Sequence, residues 1–275
     1  MNKWVGGTPR VAFISGAGSG IGLQVAKALV GEGANLALFD LKIDATVIDE
    51  LRALCMRPQQ KVEAFIVDIT QAAEVSAAVD AAAEKLGVPD FAFNSAGILR
   101  TGLFTELSVE TFELVVRINL IGSRNFAAGV LRHMGRGGHL VLVSSLSGII
   151  GAYTHAAYCA SKFGVVGLAE VLRLEQKPRG IDVSVVCPGE IATPLLTYER
   201  EHGSKIAEAL NAGAGVLSVE EAVAGILDGL RRRQFMVTPG KRARFLRALA
   251  RKASGLQRWL SDQVLAKALQ AESRS

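Results

Sequence analysis

A glycine-rich turn between a buried strand and a helix is the feature that most constrains the fold of this chain. Residues 11–14 form the short apolar run expected of a strand that is buried on both faces. Glycines follow at alternate positions from Gly16 to Gly22, and residues 23–30 then carry apolar side chains at helical spacing. A backbone without side chains can approach a pyrophosphate, whose charge is attracted by the helix N-terminus. The sequence therefore predicts a dinucleotide site at this turn.

The remaining chain alternates between strand and helix patterns, which predicts an α/β fold, a doubly wound parallel sheet with helices on both faces. Further strands are predicted at 35–39, 62–67, 91–93, 140–143, 183–186 and 235–237, and further helices near 45–56, 71–86, 108–134, 156–177 and 218–233. Ser218 and Glu221 form a capping-box pattern at the start of the last of these helices. In such sheets, ligands bind at the carboxyl ends of the strands.

The second predicted strand ends at Asp40, about 20 residues beyond the glycines, where a carboxylate can accept hydrogen bonds from an adenosine ribose. The same charge would repel the 2′-phosphate of NADP. Leu41 and Ser19 carry no positive charge that could bind that phosphate. Lys42 is the one nearby cation that weakens the argument against NADP. We therefore predict NAD rather than NADP.

Tyr158 and Lys162 are four residues apart in a predicted helix, and Ser145 lies thirteen residues before the tyrosine. Positions i and i+4 share one helix face, so the phenol and the ammonium can reach the same small volume. Lowering the pKa of a phenol from about 10 to about 7 requires roughly 4 kcal/mol of differential stabilisation. A fixed ammonium could supply this, which makes the pair a candidate general acid/base. Taken alone, the spacing also suits a packed tyrosine beside a solvated lysine.

In order and spacing, these motifs resemble those of the short-chain dehydrogenase/reductase family over about residues 10–240. The matching segments are Gly16-x-x-x-Gly20-x-Gly22, Asp68-Ile69, Asn94-Ser95-Ala96-Gly97, Asn119, Ser145, Tyr158-x-x-x-Lys162 and Pro188-Gly189 leading to Thr193. Two departures are mild, because Ser15 keeps the hydroxyl of the family's usual threonine and Ser95 replaces only the second asparagine of its Asn-Asn-Ala-Gly motif.

The resemblance implies a single Rossmann-like catalytic domain at residues 1–240 and a catalytic tetrad. The tetrad would consist of Asn119, Ser145, Tyr158 and Lys162. Tyr158 would be the acid/base, Ser145 would bind the substrate oxygen, and Asn119 would hold a water that links Lys162 to solvent. The residues expected to contact NAD are Ser15, Gly16, Ser19, Gly20, Ile21, Gly22, Asp40, Leu41, Asp68, Ile69, Asn94, Ala96, Gly97, Tyr158, Lys162, Pro188, Gly189, Ile191 and Thr193. The helices near 108–134 and 156–177 would pair with a second subunit in a homodimer or homotetramer.

Composition favours one large domain in a reducing compartment. The chain has 275 residues, of which 49% are hydrophobic, enough for a single extended core. Three cysteines and four histidines show neither a disulfide framework nor a metal-binding spacing. Residues 1–9 lack the apolar core of a signal peptide, and we expect no apolar stretch long enough to span a bilayer. A cytoplasmic protein without a metal is predicted.

Residues 190–216 have weak periodicity, interrupted by Pro194 and three glycines, and are predicted to form a substrate lid. Candidates for an apolar pocket wall are Leu99, Ile149, Ile150, Leu195, Leu196 and Tyr198. Tyr153 and His155 could also line the pocket, although an incidental surface histidine is at least as consistent with the sequence. Arg100 is the one cation that could bind a carboxylate or phosphate group. We expect a lipophilic alcohol or ketone as substrate.

The C-terminal extension, residues 241–275, is predicted to be a basic amphipathic helical segment. From Arg231 onward the chain carries 12 Lys/Arg against 2 Asp/Glu, out of totals of 31 and 26, so the preceding part is net acidic. Ser254 and Gly255 could divide the segment into two helices. Its apolar face, which includes Leu260, could dock on the domain, which is the usual fate of such a helix, or on a second subunit. It could also contact an anionic membrane surface. Nucleic acid is not expected as a partner, because no aromatic platform interleaves the basic residues.

Together these features predict an NAD(H)-dependent oxidoreductase that interconverts a secondary alcohol and a ketone. The protein would position the reacting atoms, while the cofactor carries the hydride. The alternative is a catalytically inactive dinucleotide-binding sensor or scaffold that works through its basic tail. An intact tetrad argues against that alternative.

Overall fold

The computed structural model describes residues 3–272, and a seven-stranded parallel sheet forms its centre. The strand order is β3-β2-β1-β4-β5-β6-β9, and all six pairings are parallel. The strands of this sheet are β1 Val11–Ser15, β2 Asn35–Asp40, β3 Val62–Ile66, β4 Phe91–Asn94, β5 His139–Val143, β6 Asp182–Val186 and β9 Met236–Val237. The order reverses between β1 and β4, so a crevice opens at their carboxyl ends, where ligands bind in such sheets.

Helices cover both faces of the sheet, as the alternation of patterns predicted. They are α1 Gly20–Gly31, α2 Ala45–Ala53, α3 Ala72–Leu86, α4 Val109–Val116, α5 Gly122–His133, α6 Ala156–Gln176, α7 Pro194–His202, α8 Lys205–Asn211, α9 Val219–Arg231, α10 Lys241–Lys252 and α11 Ser254–Glu272. In β1, Ala12 and Ile14 join the core beneath α1 and α9, whereas Phe13 joins the core beneath α3, α5 and α6. Both faces of this strand are therefore buried, which explains its uninterrupted apolar run. The predicted fold class is confirmed.

The predicted long helix at 108–134 is interrupted by a π-helical turn at Arg117–Ile121 between α4 and α5. Its start matches the prediction, because the Ser108 side chain accepts a hydrogen bond from Thr111 N. By length and composition alone, Val109–His133 could cross a membrane, contrary to the expectation that no stretch would qualify. Its most apolar window is 56% buried inside the fold, as in the core helix of a packed domain.

The lid segment contains two helices, α7 and α8, framed by the short strands β7 Glu190–Ile191 and β8 Val216–Leu217, which pair in parallel. Ser218 then caps α9, and the predicted capping box with Glu221 is present.

The C-terminal extension forms two helices that break at Ala253, close to the predicted Ser254–Gly255 position. The second, α11, packs against α8 of the lid. A basic side chain of α10 also contacts the domain, because Arg247 Nη1 donates to Met236 O at 2.9 Å on the sheet edge. Arg247 therefore does not lie on a solvent-facing basic face opposite the apolar residues, as its position in an uninterrupted amphipathic helix would predict. Residues 1–2 and 273–275, included in the predicted domain limits, lie outside the described residues.

Candidate active site

The glycine turn has the shape and polarity that a dinucleotide pyrophosphate requires. Gly16 has φ +73°, and a Cβ there would lie 2.5 Å from Ala96 N, so no other residue fits without displacing the backbone. The N-cap residue Ser19 makes no side-chain capping bond, and the first turn of α1 contains no acidic residue. The backbone amides and the positive end of the helix dipole are therefore available to a phosphate. Thr193 lies over the same turn, 3.6 Å from the Cβ position of Gly20.

Asp40 lies at the end of β2 and forms hydrogen bonds that hold the glycine turn in place. Its Oδ2 accepts a hydrogen bond from Gly18 N at 2.9 Å, and its Oδ1 accepts one from Leu41 N at 2.8 Å. The carboxylate is thus fixed beside the glycines, where an adenosine ribose would lie. Lys42 forms an exposed ion pair with Asp44 at 3.1 Å, so the one cation near this position already has an acidic partner.

The residues predicted to surround the adenine and the central strand lie along the same edge of the sheet. Asp68 Oδ1 accepts a hydrogen bond from Thr70 N at 2.8 Å, and Ile69 O accepts one from Asn125 Nδ2 at 3.0 Å. Asn94 Nδ2 donates to Ser123 Oγ at 2.8 Å, while its Oδ1 is buried without a protein partner among the residues described. Together with the glycine turn, these groups fit a dinucleotide.

The other predicted contacts follow β4 and β6. Ala96 touches the turn at Gly16, and a Cβ on Gly97 would lie 3.3 Å from Lys162 Nζ. Pro188 O accepts a hydrogen bond from Leu146 N at 2.7 Å, next to Ser145. Gly189 packs near Leu146, with 3.6 Å between its Cβ position and the leucine Cδ1.

Ser145, Tyr158 and Lys162 converge where β5 ends and α6 begins. Tyr158 is buried beside the Ser145 side chain, whose hydrogen bonding lowers the pKa of the phenol. Lys162 is also buried, and its Nζ donates to Val143 O at 3.0 Å while lying 5.5 Å from the centre of the Tyr158 ring. The helix spacing therefore brings the phenol and the ammonium together, as i and i+4 positions should.

Asn119, the fourth predicted member, lies in the π-helical turn and is fully buried. Its amide is held on both sides: Nδ2 donates to Ile98 O at 2.9 Å and to Ser161 Oγ at 3.0 Å, and Oδ1 accepts from Ile98 N at 2.8 Å. A Cβ on Gly97 would lie 3.0 Å from Asn119 Oδ1 and 3.3 Å from Lys162 Nζ. Asn119 and Lys162 thus border the same small space, and the π-turn is a common device at functional sites.

The pKa values of the pair differ from the sequence expectation. Burial raises the pKa of Tyr158 well above its ordinary value, and the hydrogen bond from Ser145 offsets only part of this; the negative charge of Glu199 adds to the increase. Burial lowers the pKa of Lys162 to about 8. The pKa of Tyr158 is therefore raised overall, contrary to the expected net lowering, because removing a phenolate from water costs more than its neighbours return.

The apolar wall expected around the tyrosine is partly formed. Leu99 and Leu195 pack in one cluster with Tyr158, whereas Ile149 packs into the core beneath α5 and α6. Tyr198 stacks on His202 with 4.2 Å between ring centroids and accepts Arg100 over its face at 4.8 Å. Arg100 is therefore engaged by an aromatic ring.

Three polar residues near the site escaped the sequence argument. Ser123 Oγ donates to Asn119 O at 2.5 Å, and Ser161 Oγ donates to Tyr158 O at 2.7 Å. The sequence could have indicated Ser161 as a residue that positions the site, because it lies one residue before Lys162 on the same helix. Glu199, in the lid helix α7, carries no motif and becomes notable only because the fold brings it close to Tyr158.

Comparison with known proteins agrees with this geometry. The family model described as short chain dehydrogenase matches residues 10–204. A D-threitol dehydrogenase from Mycolicibacterium smegmatis is 36% identical over 188 residues, covering 68% of this chain and 72% of that enzyme. A 2-(S)-hydroxypropyl-CoM dehydrogenase from Xanthobacter autotrophicus is 33% identical over 188 residues, covering 66% and 72%.

Solved structures of short-chain dehydrogenases/reductases also superpose on this chain. A short-chain dehydrogenase/reductase from Burkholderia phymatum, crystallised in complex with NAD, superposes with a TM-score of 0.76 at 25% identity, covering 88% of this chain and 92% of that one. The chain belongs to the short-chain dehydrogenase/reductase family. It is a Rossmann-like oxidoreductase whose cofactor is a nicotinamide dinucleotide.

Proposed function

We propose that the protein interconverts a secondary alcohol and a ketone with NAD(H), and that Tyr158 is the acid/base. The observation that carries this proposal is the convergence of Ser145, Tyr158 and Lys162 beside the dinucleotide crevice. Ser145 is the polar neighbour of the Tyr158 phenol, and the Lys162 ammonium lies 5.5 Å from the centre of the tyrosine ring.

Each residue has a physical role in that reaction. The cofactor, when bound, accepts or donates the hydride at its nicotinamide ring. In ketone reduction, the protonated phenol of Tyr158 donates its proton to the carbonyl oxygen, and the Ser145 hydroxyl donates a hydrogen bond to the same oxygen as its negative charge develops. In alcohol oxidation, Tyr158 must accept the hydroxyl proton, and the Lys162 ammonium stabilises the phenolate. Asn119 holds the π-helical turn against α6, because its Nδ2 donates a hydrogen bond to Ser161 Oγ.

NAD is the proposed cofactor, ahead of NADP. Asp40 is held beside the glycine turn by two backbone amides, where its charge would repel a 2′-phosphate. Lys42 is paired with Asp44. The NAD complexes of the Burkholderia phymatum enzyme and of a Brucella melitensis 3-oxoacyl-[acyl-carrier protein] reductase support the same choice.

The substrate is proposed to be a largely apolar alcohol or ketone. Leu99 and Leu195 form the immediate neighbourhood of Tyr158, together with Val115 and Ala157. The names of two relatives, a D-threitol dehydrogenase and a 2-(S)-hydroxypropyl-CoM dehydrogenase, support oxidation or formation of a hydroxyl group.

The test is turnover of NADH with a broad panel of ketones by the wild type, Tyr158→Phe and the matched control Tyr153→Phe. We expect Tyr158→Phe to lose a factor of about 10² to 10⁴ in kcat/KM while it still binds NADH, and Tyr153→Phe to retain most activity. A wild type that binds NADH but reduces none of the ketones would favour the inactive sensor or scaffold instead.

We also propose that the protein is a homodimer or homotetramer that pairs through α4, α5 and α6. These helices and the π-helical turn between α4 and α5 leave large apolar side chains exposed: Val109, Leu114, Ile121, Phe163, Val171 and Leu174. Light scattering of the wild type and of Phe163→Glu tests this. A monomeric wild type would contradict it.

A cytoplasmic location with peripheral contact to an anionic membrane is the last part of the proposal. The three cysteines are free. One side of α11 packs on α8, yet Leu256 is 51% and Trp259 is 56% exposed, beside the basic residues of the extension. Co-sedimentation with phosphatidylglycerol vesicles should fall for Trp259→Glu relative to the wild type at low salt. Equal sedimentation would remove the membrane contact.

A further inference from the structure

His155 is a buried histidine that lacks a hydrogen-bond partner at both ring nitrogens. It precedes α6, three residues before Tyr158, and is 3% exposed. Among the residues from 3 to 272, neither Nδ1 nor Nε2 has a hydrogen-bond partner. Buried polar atoms nearly always have a hydrogen-bond partner. Two unpaired nitrogens on one ring therefore indicate a partner that the described residues do not provide.

The lid places a carboxylate against this ring. Glu199 of α7 has its Oε1 at 3.3 Å from His155 Nε2, and its side chain is 16% exposed. The approach does not have hydrogen-bond geometry, because Nε2 remains unpaired. Asn211 Nδ2 donates to the same oxygen at 3.1 Å and so helps to fix the carboxylate. Two polar side chains from different elements therefore meet at one buried point.

That point borders the proposed acid/base. The rings of His155 and Tyr158 have centroids 6.2 Å apart. Burial raises the pKa of Tyr158, and the Glu199 charge raises it further, as expected of a carboxylate close by. Apart from Ser145 and Lys162, the tyrosine packs in an apolar cluster that includes Leu99 and Leu195. The His155 and Glu199 pair is thus a polar spot on an otherwise apolar wall, next to the place where a substrate oxygen would bind.

We propose that His155 and Glu199 bind a second hydroxyl group of the substrate, on the carbon next to the reacting carbon. The substrate would then be a vicinal diol in oxidation and an α-hydroxyketone in reduction, with an apolar remainder. A hydroxyl group is both donor and acceptor, so it can donate to the Glu199 carboxylate while it accepts from an N–H of the His155 ring. This inference rests on the proposed function and narrows its substrate class.

The pair should also exclude other substrates. A methyl group at this position would leave the buried nitrogens of His155 unpaired and would offer no donor to Glu199. Sites built to hydrogen-bond a hydroxyl group strongly reject analogues that lack it. A carboxylate on that carbon would be repelled by Glu199.

The experiment compares kcat/KM of the full chain for 2-octanone and 3-hydroxy-2-octanone with NADH. We expect the wild type to prefer the hydroxyketone by at least about tenfold, since a hydroxyl-binding site discriminates by that factor or more. Glu199→Gln, which keeps the shape of the side chain, should lose most of this preference. Glu201→Gln, an exposed carboxylate on the same helix, is the matched control and should keep it. Circular dichroism melts verify that each variant is folded.

The outcomes separate the two levels of inference. Equal kcat/KM for both ketones in the wild type, or an unchanged ratio in folded Glu199→Gln, would overturn the hydroxyl subsite and leave the proposed function intact. Turnover of neither ketone, nor of any other ketone in the panel, with NADH or NADPH would overturn the proposed function and the subsite with it.

Discussion

The buried ammonium of Lys162 should make the stability of the protein depend on pH in an unusual direction. Lys162 is 4% exposed, and burial lowers its pKa from the ordinary 10.5 to about 8. Between about pH 8 and pH 10.5 the unfolded chain therefore holds a proton on this lysine that the folded chain has released. The unfolded state binds more protons in that window, so the free energy of unfolding rises with pH.

The expected magnitude follows from the same values. One pKa unit corresponds to about 1.4 kcal/mol, so the full gain from Lys162 between pH 8 and pH 10.5 is about 3 kcal/mol. Thiols and phenols whose pKa is raised by burial act in the opposite direction. Burial raises the pKa of Cys187 to about 12 and that of Tyr158 above its ordinary value. Each of these groups therefore lowers the free energy of unfolding once the pH rises past the pKa that it has in the unfolded chain.

The assay is urea unfolding of the protein without nucleotide, at intervals from pH 7.5 to pH 10, for the wild type and Lys162→Met. The methionine keeps an unbranched chain of similar length and removes the charge. Because Cys187 and Tyr158 are present in both proteins, most of their effect cancels in the difference between the two curves. The difference then reports the titration of the lysine together with its smaller interaction with Cys187. We expect the wild type to gain about 2 to 3 kcal/mol relative to Lys162→Met over this range. A difference that stays constant with pH would show that the lysine titrates alike in the folded and unfolded chains, and would refute the argument from burial.

Three further predictions concern single residues. Gly16→Ala should lower the free energy of unfolding by at least about 1 kcal/mol and weaken NADH binding, because its Cβ would lie 2.5 Å from Ala96 N; unchanged urea midpoint and affinity would contradict this. Asp40→Ala should weaken binding of NADH and strengthen that of NADPH in fluorescence titrations, and tighter NADPH binding by the wild type would show that the carboxylate does not select the cofactor. Ser218→Ala removes the hydroxyl that accepts from Glu221 N at 3.1 Å and should cost about 1 kcal/mol in urea unfolding, whereas Ser218→Asp, which can still cap α9, should cost much less.

Much of the fold could be predicted because local patterns and global architecture agree. Buried parallel strands require continuous apolar runs, and these runs identified all seven strands of the main sheet. The glycine turn, the end of β2 at Asp40 and the start of α6 are all local features. Their convergence follows from the rule that carboxyl ends of parallel strands share one edge of the sheet.

The electrostatics of the site could not be predicted in the same way. The i and i+4 spacing correctly brought Tyr158 and Lys162 together, but spacing carries no information about solvent. In the fold both groups are buried, and desolvation disfavours each charged form, so the two pKa values move in directions opposite to a simple charge-pair argument. The π-turn that carries Asn119 likewise depends on packing among α4, α5 and α6 and has no signature in the periodicity.

The sequence by itself determined the sheet, the dinucleotide turn and the identity of the acid/base candidates, because each is encoded within a few consecutive residues. Only the tertiary structure decided what surrounds Tyr158. His155 and Glu199 are 44 positions apart in the chain, and α11 reaches α8 across a similar separation. Such contacts arise where the lid folds back over the strand ends, since hydrophobic burial of α7 and α8 fixes which polar groups are carried into the pocket with them.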